Sequence, residues 1–202
     1  MQTFEEVQER IAEVEPFVEA CHLDMTDGIF SKHETWRNPA DLAQLKTKLF
    51  VEVHLMVEEP EKIIDTWLVE PVRRVIVHVE SMKNPEVIIQ KCRDMGKEIG
   101  FAIKPETPID ALAPWFDKVD MMQVLGVNPG PSGQRIGQEI FDKIGALRTV
   151  CPRCRIELDG GVNRETIGRA VKAGAGMLVA GSAIFSTLDI EQAIGELRQG
   201  LL

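Results

Sequence analysis

Stretches of near-continuous apolar character alternate with helix patterns along the whole chain of 202 residues. That rhythm constrains the fold more than any other feature. The chain opens with a capping box, Thr3-Phe4-Glu5-Glu6, followed by Phe4, Val7, Ile11 and Val14 at helical spacing. Strands are expected at 17–25, 49–57, 74–79, 98–103, 119–127, 155–159 and 177–180. Helices are expected to begin at Asn38-Pro39, Glu59-Pro60, Asn84-Pro85 and Thr107-Pro108, each with proline at the first helical position. Further helices are expected over 138–150, 163–174 and 189–199, and Gly181-Ser182 as a turn. Apolar strands separated by helices imply a parallel sheet covered on its outer face. Nothing between residues 1 and 202 reads as a linker, a charge run or a low-complexity segment, so a single domain is expected.

The pattern holds eight helices and seven strands. An α/β fold of the (β/α)8 TIM-barrel type needs a strand ahead of its first helix, and Met1-Gln2 cannot make one. We therefore expect a barrel whose first strand is absent from the chain as written, through a start site placed downstream or a truncation, with a natural seven-stranded barrel as the alternative. A doubly wound open sheet is the alternative. The residues able to do chemistry stand at the ends of many different strands, which suits a barrel rim better than a single crevice.

A formal net charge of −9 disfavours nucleic acid or an anionic membrane as a partner, because either would be repelled. The longest apolar-rich stretch, 173–185, is too short and too glycine-rich to span a bilayer. Met1 leads directly into charged helical sequence with no signal peptide, so a soluble, cytoplasmic protein is expected. The four cysteines are Cys21, Cys92, Cys151 and Cys154. Cys151-Pro152-Arg153-Cys154 without a second pair is a weak zinc signal, and the two are expected to be unpaired thiols in a loop.

Asp159 ends an apolar run and is followed by Gly160-Gly161 and a helix pattern. A carboxylate there can bind a metal or move a proton, and the two glycine amides can hold a phosphate; a plain strand-to-helix turn is the other reading. His22 and Asp24 share one face of their strand. His54 lies near the end of the next strand, with Glu52 and Met56 on its face. Two histidines and two aspartates at matching depth suit a divalent transition metal: Zn²⁺, Fe²⁺, Mn²⁺ or Co²⁺. Three small-residue turns, Gly130-Pro131-Ser132-Gly133, Gly160-Gly161 and Gly181-Ser182, each follow a strand. The last two follow the final two strands, where barrels commonly bind phosphate on backbone amides.

Five segments carry a resemblance. His22-Leu23-Asp24-Met25-Thr26-Asp27-Gly28, Val53-His54-Leu55-Met56-Val57, Val127-Asn128-Pro129-Gly130-Pro131-Ser132-Gly133-Gln134, Asp159-Gly160-Gly161-Val162-Asn163 and Val179-Ala180-Gly181-Ser182-Ala183-Ile184-Phe185 resemble the ribulose-phosphate 3-epimerase family in order and spacing. His78-Val79-Glu80 and Lys104-Pro105-Glu106-Thr107-Pro108 resemble further segments of it. The resemblance implies a ribulose-phosphate-binding barrel with one divalent metal on His22, Asp24, His54 and Asp159. It implies that Asp24 and Asp159 face each other as the two acid/base groups of a ketose-phosphate epimerisation at C3. It places the sugar phosphate against His54 and Met56, on the amides of Gly160, Gly161, Gly181 and Ser182, and under a loop of Gly130, Pro131, Ser132 and Gly133. D-ribulose 5-phosphate is the implied substrate, and there is room for a homo-oligomer.

The sequence departs from the family in four places. Its opening strand is missing. Thr26 and Leu125 stand where lining methionines are expected. The usual Gly-Phe-Gly-Gly loop is Gly130-Pro131-Ser132-Gly133, and Ile29 replaces a histidine. A six-carbon ketose phosphate such as allulose 6-phosphate is therefore an alternative substrate, and a non-catalytic sugar-phosphate-binding barrel an alternative function. Decarboxylases and aldol-type synthases of the superfamily carry an Asp-x-Lys-x-x-Asp pattern, and His22 to Asp27 contains no lysine.

Overall fold

The computed structural model describes residues 1–130 and 134–201. It has an α/β barrel architecture, with seven strands following chain order in one sheet, β1 to β7. The chain divides into two compact units, residues 1–100 and 101–202. Among the described residues no helix is long and apolar enough to cross a membrane.

In the first unit, helix α1 (Phe4–Val14) buries Phe4, Val7, Ile11 and Val14, the expected stripe. Burying each such side chain stabilises by about 1.5–3 kcal/mol. The Thr3 hydroxyl accepts from the Glu6 amide at 3.2 Å, and the Glu6 carboxylate accepts from the Gln2 amide at 2.6 Å. The cap thus closes one residue earlier than a standard capping box. After α1 the amides of Phe17 and Val18 still bond to the Val14 carbonyl. That is why β1 (Ala20–Thr26) starts three residues later than the apolar pattern suggests. Next come β2 (Phe50–Met56), the single turn α2 (Ile64–Trp67), β3 (Val72–His78) and α3 (Pro85–Asp94). Strand β4 (Glu98–Ile103) crosses the boundary between the units. The pairings β1–β2 and β2–β3 are parallel.

The second unit holds β5 (Met121–Leu125), α4 (Gln138–Val150), β6 (Ile156–Asp159), α5 (Ile167–Ala173), β7 (Met177–Val179), the single turn α6 (Ser182–Phe185) and α7 (Ile190–Gln199). Here too β5–β6 and β6–β7 pair in parallel.

Three expected helices are reduced to 3-10 turns or one helical turn: Pro39–Gln44, the pair Pro60–Lys62 and Ile64–Trp67, and the pair Ile109–Ala111 and Ala113–Trp115. Their inward residues are buried as expected, including Leu42, Leu45, Ile64, Trp67 and Leu112. Segments this short gain few hydrogen bonds for the residues they fix, and Pro114 removes a donor from the last of them. Cys151 and Cys154 are not free thiols. They form a disulfide across a turn whose Cys154 amide bonds to the Cys151 carbonyl at 3.2 Å, with the two Cα atoms 5.4 Å apart.

Candidate active site

In parallel strands, residues facing each other in register project to the same side. Strand β1 places His22 beside Glu52 and Asp24 beside His54, and β3 places Arg74 beside Glu52. The period of two brings His22 and Asp24 onto one face, with Glu52, His54 and Met56 from β2 and Arg74 and His78 from β3. This register, and not proximity along the chain, assembles the polar cluster.

Asp24 is its accessible member: 47% of its side chain is exposed, while His54 and His78 are fully buried. Asp24 Oδ1 lies 3.3 Å from His22 Nε2 and 3.1 Å from His54 Nδ1.

The other ring nitrogens have partners that decide where the protons sit. His22 Nδ1 is 2.8 Å from Glu52 Oε1. Burial raises the Glu52 carboxyl, but His22 and Arg74 lower it more, to about 2. Ionised, it can only accept, so in the neutral ring Nδ1 carries the proton and Nε2 the lone pair. On the other side, His78 Nδ1 is 3.0 Å from Glu80 Oε2, and His78 Nε2 is 2.9 Å from His54 Nε2. With the Glu80 carboxylate accepting from His78 Nδ1, His78 Nε2 becomes an acceptor and His54 Nε2 donates to it. The lone pair of His54 is then on Nδ1. With the protons so assigned both imidazole lone pairs face Asp24, and the ligand atoms of the three residues lie within 4.8 Å of one another. Acceptors converging without a proton between them call for a cation. Two imidazole nitrogens and a carboxylate oxygen fit a divalent transition metal.

The loop beyond β1 is tied back by Asp27. Its Oδ1 accepts from the amides of Ile29 and Phe30 at 2.8 and 2.9 Å, and its Oδ2 from the Glu58 amide at 2.9 Å. Ile29 itself is exposed. Thr26 and Met56, opposite each other in register, are buried. The Thr26 hydroxyl has no hydrogen-bond partner among the described residues.

In the second unit, Asp159 is the last residue of β6, beside Leu125 and Val179. Gly160 and Gly161 have φ of +95° and +74°, values open to glycine and strained for other residues. The turn is packed closely: the Gly126 amide donates to the Asp159 carbonyl at 2.6 Å. Asn163 then caps the following segment, its side-chain oxygen accepting from the Glu165 and Thr166 amides at 2.9 and 3.2 Å. The Thr166 hydroxyl donates to the Gly161 carbonyl at 2.8 Å. Gly181 precedes Ser182, the first residue of α6, after β7. Gly130 is described, whereas Pro131, Ser132 and Gly133 lie outside the described residues.

Of the expected site residues, His22, Asp24, His54 and Met56 come together at the ends of β1 and β2. Asp159, Gly160, Gly161, Gly181 and Ser182 stand at the corresponding ends of β6 and β7. Sequence reasoning missed the parts played by Glu52, Arg74, His78 and Glu80. The signal was present as polar residues at alternate positions of otherwise apolar strands.

The profile of the Ribulose-phosphate 3 epimerase family matches residues 2–185. The chain is 33% identical to a ribulose-phosphate 3-epimerase of Eremothecium gossypii over 195 residues, covering 91% of this chain and 82% of that protein. It is 36% identical to one of Methanocaldococcus jannaschii over 190 residues, covering 92% and 80%. Among solved structures, 3-hexulose-6-phosphate synthase superposes with a TM-score of 0.71 at 17% identity, covering 99% of this chain and 95% of that one. The tryptophan synthase A-subunit of Pyrococcus furiosus does so with a TM-score of 0.74 at 13% identity, covering 96% and 92%. At those identities the structural likeness concerns the fold.

Proposed function

Because the chain belongs to the ribulose-phosphate 3-epimerase family, we propose that it epimerises a ketose phosphate at C3, interconverting D-ribulose 5-phosphate and D-xylulose 5-phosphate. The observation that supports this reading is the convergence of ring nitrogens of His22 and His54 on the Asp24 carboxylate, at 3.3 and 3.1 Å.

Epimerisation at C3 removes a proton beside the C2 carbonyl and returns one to the opposite face of the carbon. Two opposed acid/base groups are needed. In this reading they are Asp24 and Asp159. Asp24 suits proton transfer because its side chain is half-exposed while the imidazole side chains of His22 and His54 that orient it are buried. One aspartate, ionised, takes the C3 proton. The other, protonated, supplies its replacement, and the roles exchange in the reverse reaction. General acid–base catalysis of this kind contributes about 10²–10⁴-fold. His22, Asp24, His54 and Asp159 would hold one Zn²⁺, Fe²⁺, Mn²⁺ or Co²⁺ ion. Such an ion supplies positive charge against the negative charge that develops on the substrate oxygens. Gly160, Gly161, Gly181 and Ser182 would offer backbone amides to the phosphate, with Met56 beside His54 lining the sugar.

A second substrate, a six-carbon ketose phosphate such as allulose 6-phosphate, is favoured by Thr26 and Leu125, which replace the family's lining methionines. The ratio of kcat/KM for the two sugars decides between them. The mechanism is tested with Asp159→Asn in deuterated water. The parent should place solvent deuterium at C3 of the product, and the variant should lose turnover while keeping its fold. Activity retained by the variant, or no deuterium at C3 with the parent, refutes the two-aspartate mechanism.

A further inference from the structure

Arg74 is only 3% exposed, in the middle of β3. Its NH1 donates to Glu52 Oε2 at 2.6 Å. Its Nε and NH2 both donate to Glu98 Oε2, at 2.8 and 2.6 Å. The guanidinium also lies over the Phe50 ring, 4.8 Å from the centroid. Glu52 is itself buried, and its remaining oxygen, Oε1, meets His22 Nδ1. A continuous chain thus runs from the half-buried Glu98 through Arg74 and Glu52 to His22.

We infer that Arg74 is a positioning residue: by holding one oxygen of Glu52 it commits the other to His22 Nδ1, and so sets which nitrogen of His22 is presented to the metal. This inference rests on the metal-dependent reading given above. The geometry explains why the residue is arginine. A carboxylate buried between two strands has two oxygens to satisfy, and an oxygen left without a partner would turn toward whatever donor it could reach. The planar guanidinium serves Glu52 through NH1 while Nε and NH2 are anchored on Glu98, so the donor cannot swing away. A lysine would bring the charge to Glu52 without the fork. Net stabilisation does not account for the arrangement, because a buried ion pair contributes little over well-packed apolar residues. Orientation of a neighbouring ligand does: partners one step behind a metal ligand typically change metal affinity by about 10–100-fold.

The experiment titrates the metal-free full chain with Co²⁺, read by visible absorption, for the parent, His22→Ala, Arg74→Met and Arg74→Lys. The ¹⁵N shifts of the His22 ring are recorded on metal-free protein in parallel. The expected result is roughly a 10-fold or greater loss of Co²⁺ affinity in Arg74→Met, partial recovery in Arg74→Lys, and a larger loss in His22→Ala. The ring should be protonated at Nδ1 in the parent and mixed in Arg74→Met. Parent-like Co²⁺ affinity or an unchanged His22 tautomer in Arg74→Met, with His22→Ala impaired, overturns the positioning role and leaves the metal site standing. Equal Co²⁺ binding by parent and His22→Ala overturns the metal reading, and the inference with it. If Arg74→Met does not fold, the double variant Glu52→Gln with Arg74→Met takes its place, since it leaves no buried carboxylate without its cation. It too should lose about 10-fold, and parent-like affinity in it overturns the proposal.

Discussion

Replacing Gly126 by alanine tests whether the Asp159 turn stands at the reacting centre. Gly126 follows β5, and its φ is not in the left-handed region, so alanine adopts its backbone without strain. The whole effect is one of space. A Cβ built on Gly126 lies 2.2 Å from the Gly160 carbonyl oxygen and 2.9 Å from Ile136 Cδ1, whereas Cβ atoms essentially never come within 3.0 Å of another heavy atom. The Ile136 side chain can give way. The Gly160 peptide is backbone, and it must retreat by about 0.8 Å, taking with it the 2.6 Å bond from the Gly126 amide to the Asp159 carbonyl. Overpacking of this kind costs about 1–3 kcal/mol, and misplacing a catalytic group by about 1 Å can cost about 100-fold in rate. Gly126→Ala should therefore remain folded at 25 °C with a lowered Tm, and lose about two orders of magnitude in kcat. The assay is a coupled epimerisation assay at saturating D-ribulose 5-phosphate, with thermal melting on the same preparation. Gly195→Ala is the control, since nothing lies within 4 Å of a Cβ there. In the interior of α7 it should gain up to about 1 kcal/mol of stability and leave kcat unchanged. A Gly126→Ala protein with a lowered Tm and the parent's kcat would show that the turn is remote from the chemistry. One with neither effect would refute the packing argument itself.

Three further outcomes follow from the same geometry. Thr26→Val, which removes a buried hydroxyl without a partner among the described residues, should raise unfolding free energy by about 1 kcal/mol in urea titration; a loss of stability would mean that the hydroxyl is hydrogen-bonded after all. Co²⁺ at 100 times its Kd should stabilise the parent by about 2.7 kcal/mol, and the same concentration should leave His54→Ala at its metal-free Tm. Asp159→Asn should slow epimerisation by about 10²–10⁴-fold or more, with a Tm close to the parent's.

The strands were legible because burial on both faces leaves an apolar run that needs no partner to be seen. Their faces were legible because the period of two puts His22 with Asp24, and Glu52 with His54, wherever the strand lies. Helix type was less so. The stretches after Asn38, Glu59 and Thr107 carry the right start signals and bury the expected side chains. Whether four to eight residues close i→i+4 or i→i+3 bonds depends on what packs over them. The Cys151–Cys154 disulfide was misjudged because spacing permits a bridge, a metal site or free thiols alike, and only the folded turn brings the sulfurs together.

The sequence by itself determined the alternation of elements, the family and the residue types able to do chemistry, since these follow from local periodicity and motif order. Tertiary structure decided the register that sets His22 against Glu52 and Asp24 against His54. It also decided the contacts from Glu52 to His22, and from His54 through His78 to Glu80, that hold the two imidazoles against one carboxylate. Those contacts join residues some 24 to 30 positions apart, apart from the short step within His78-Val79-Glu80. Their geometry depends on how one strand slides along the next, and no local pattern in the chain carries that offset.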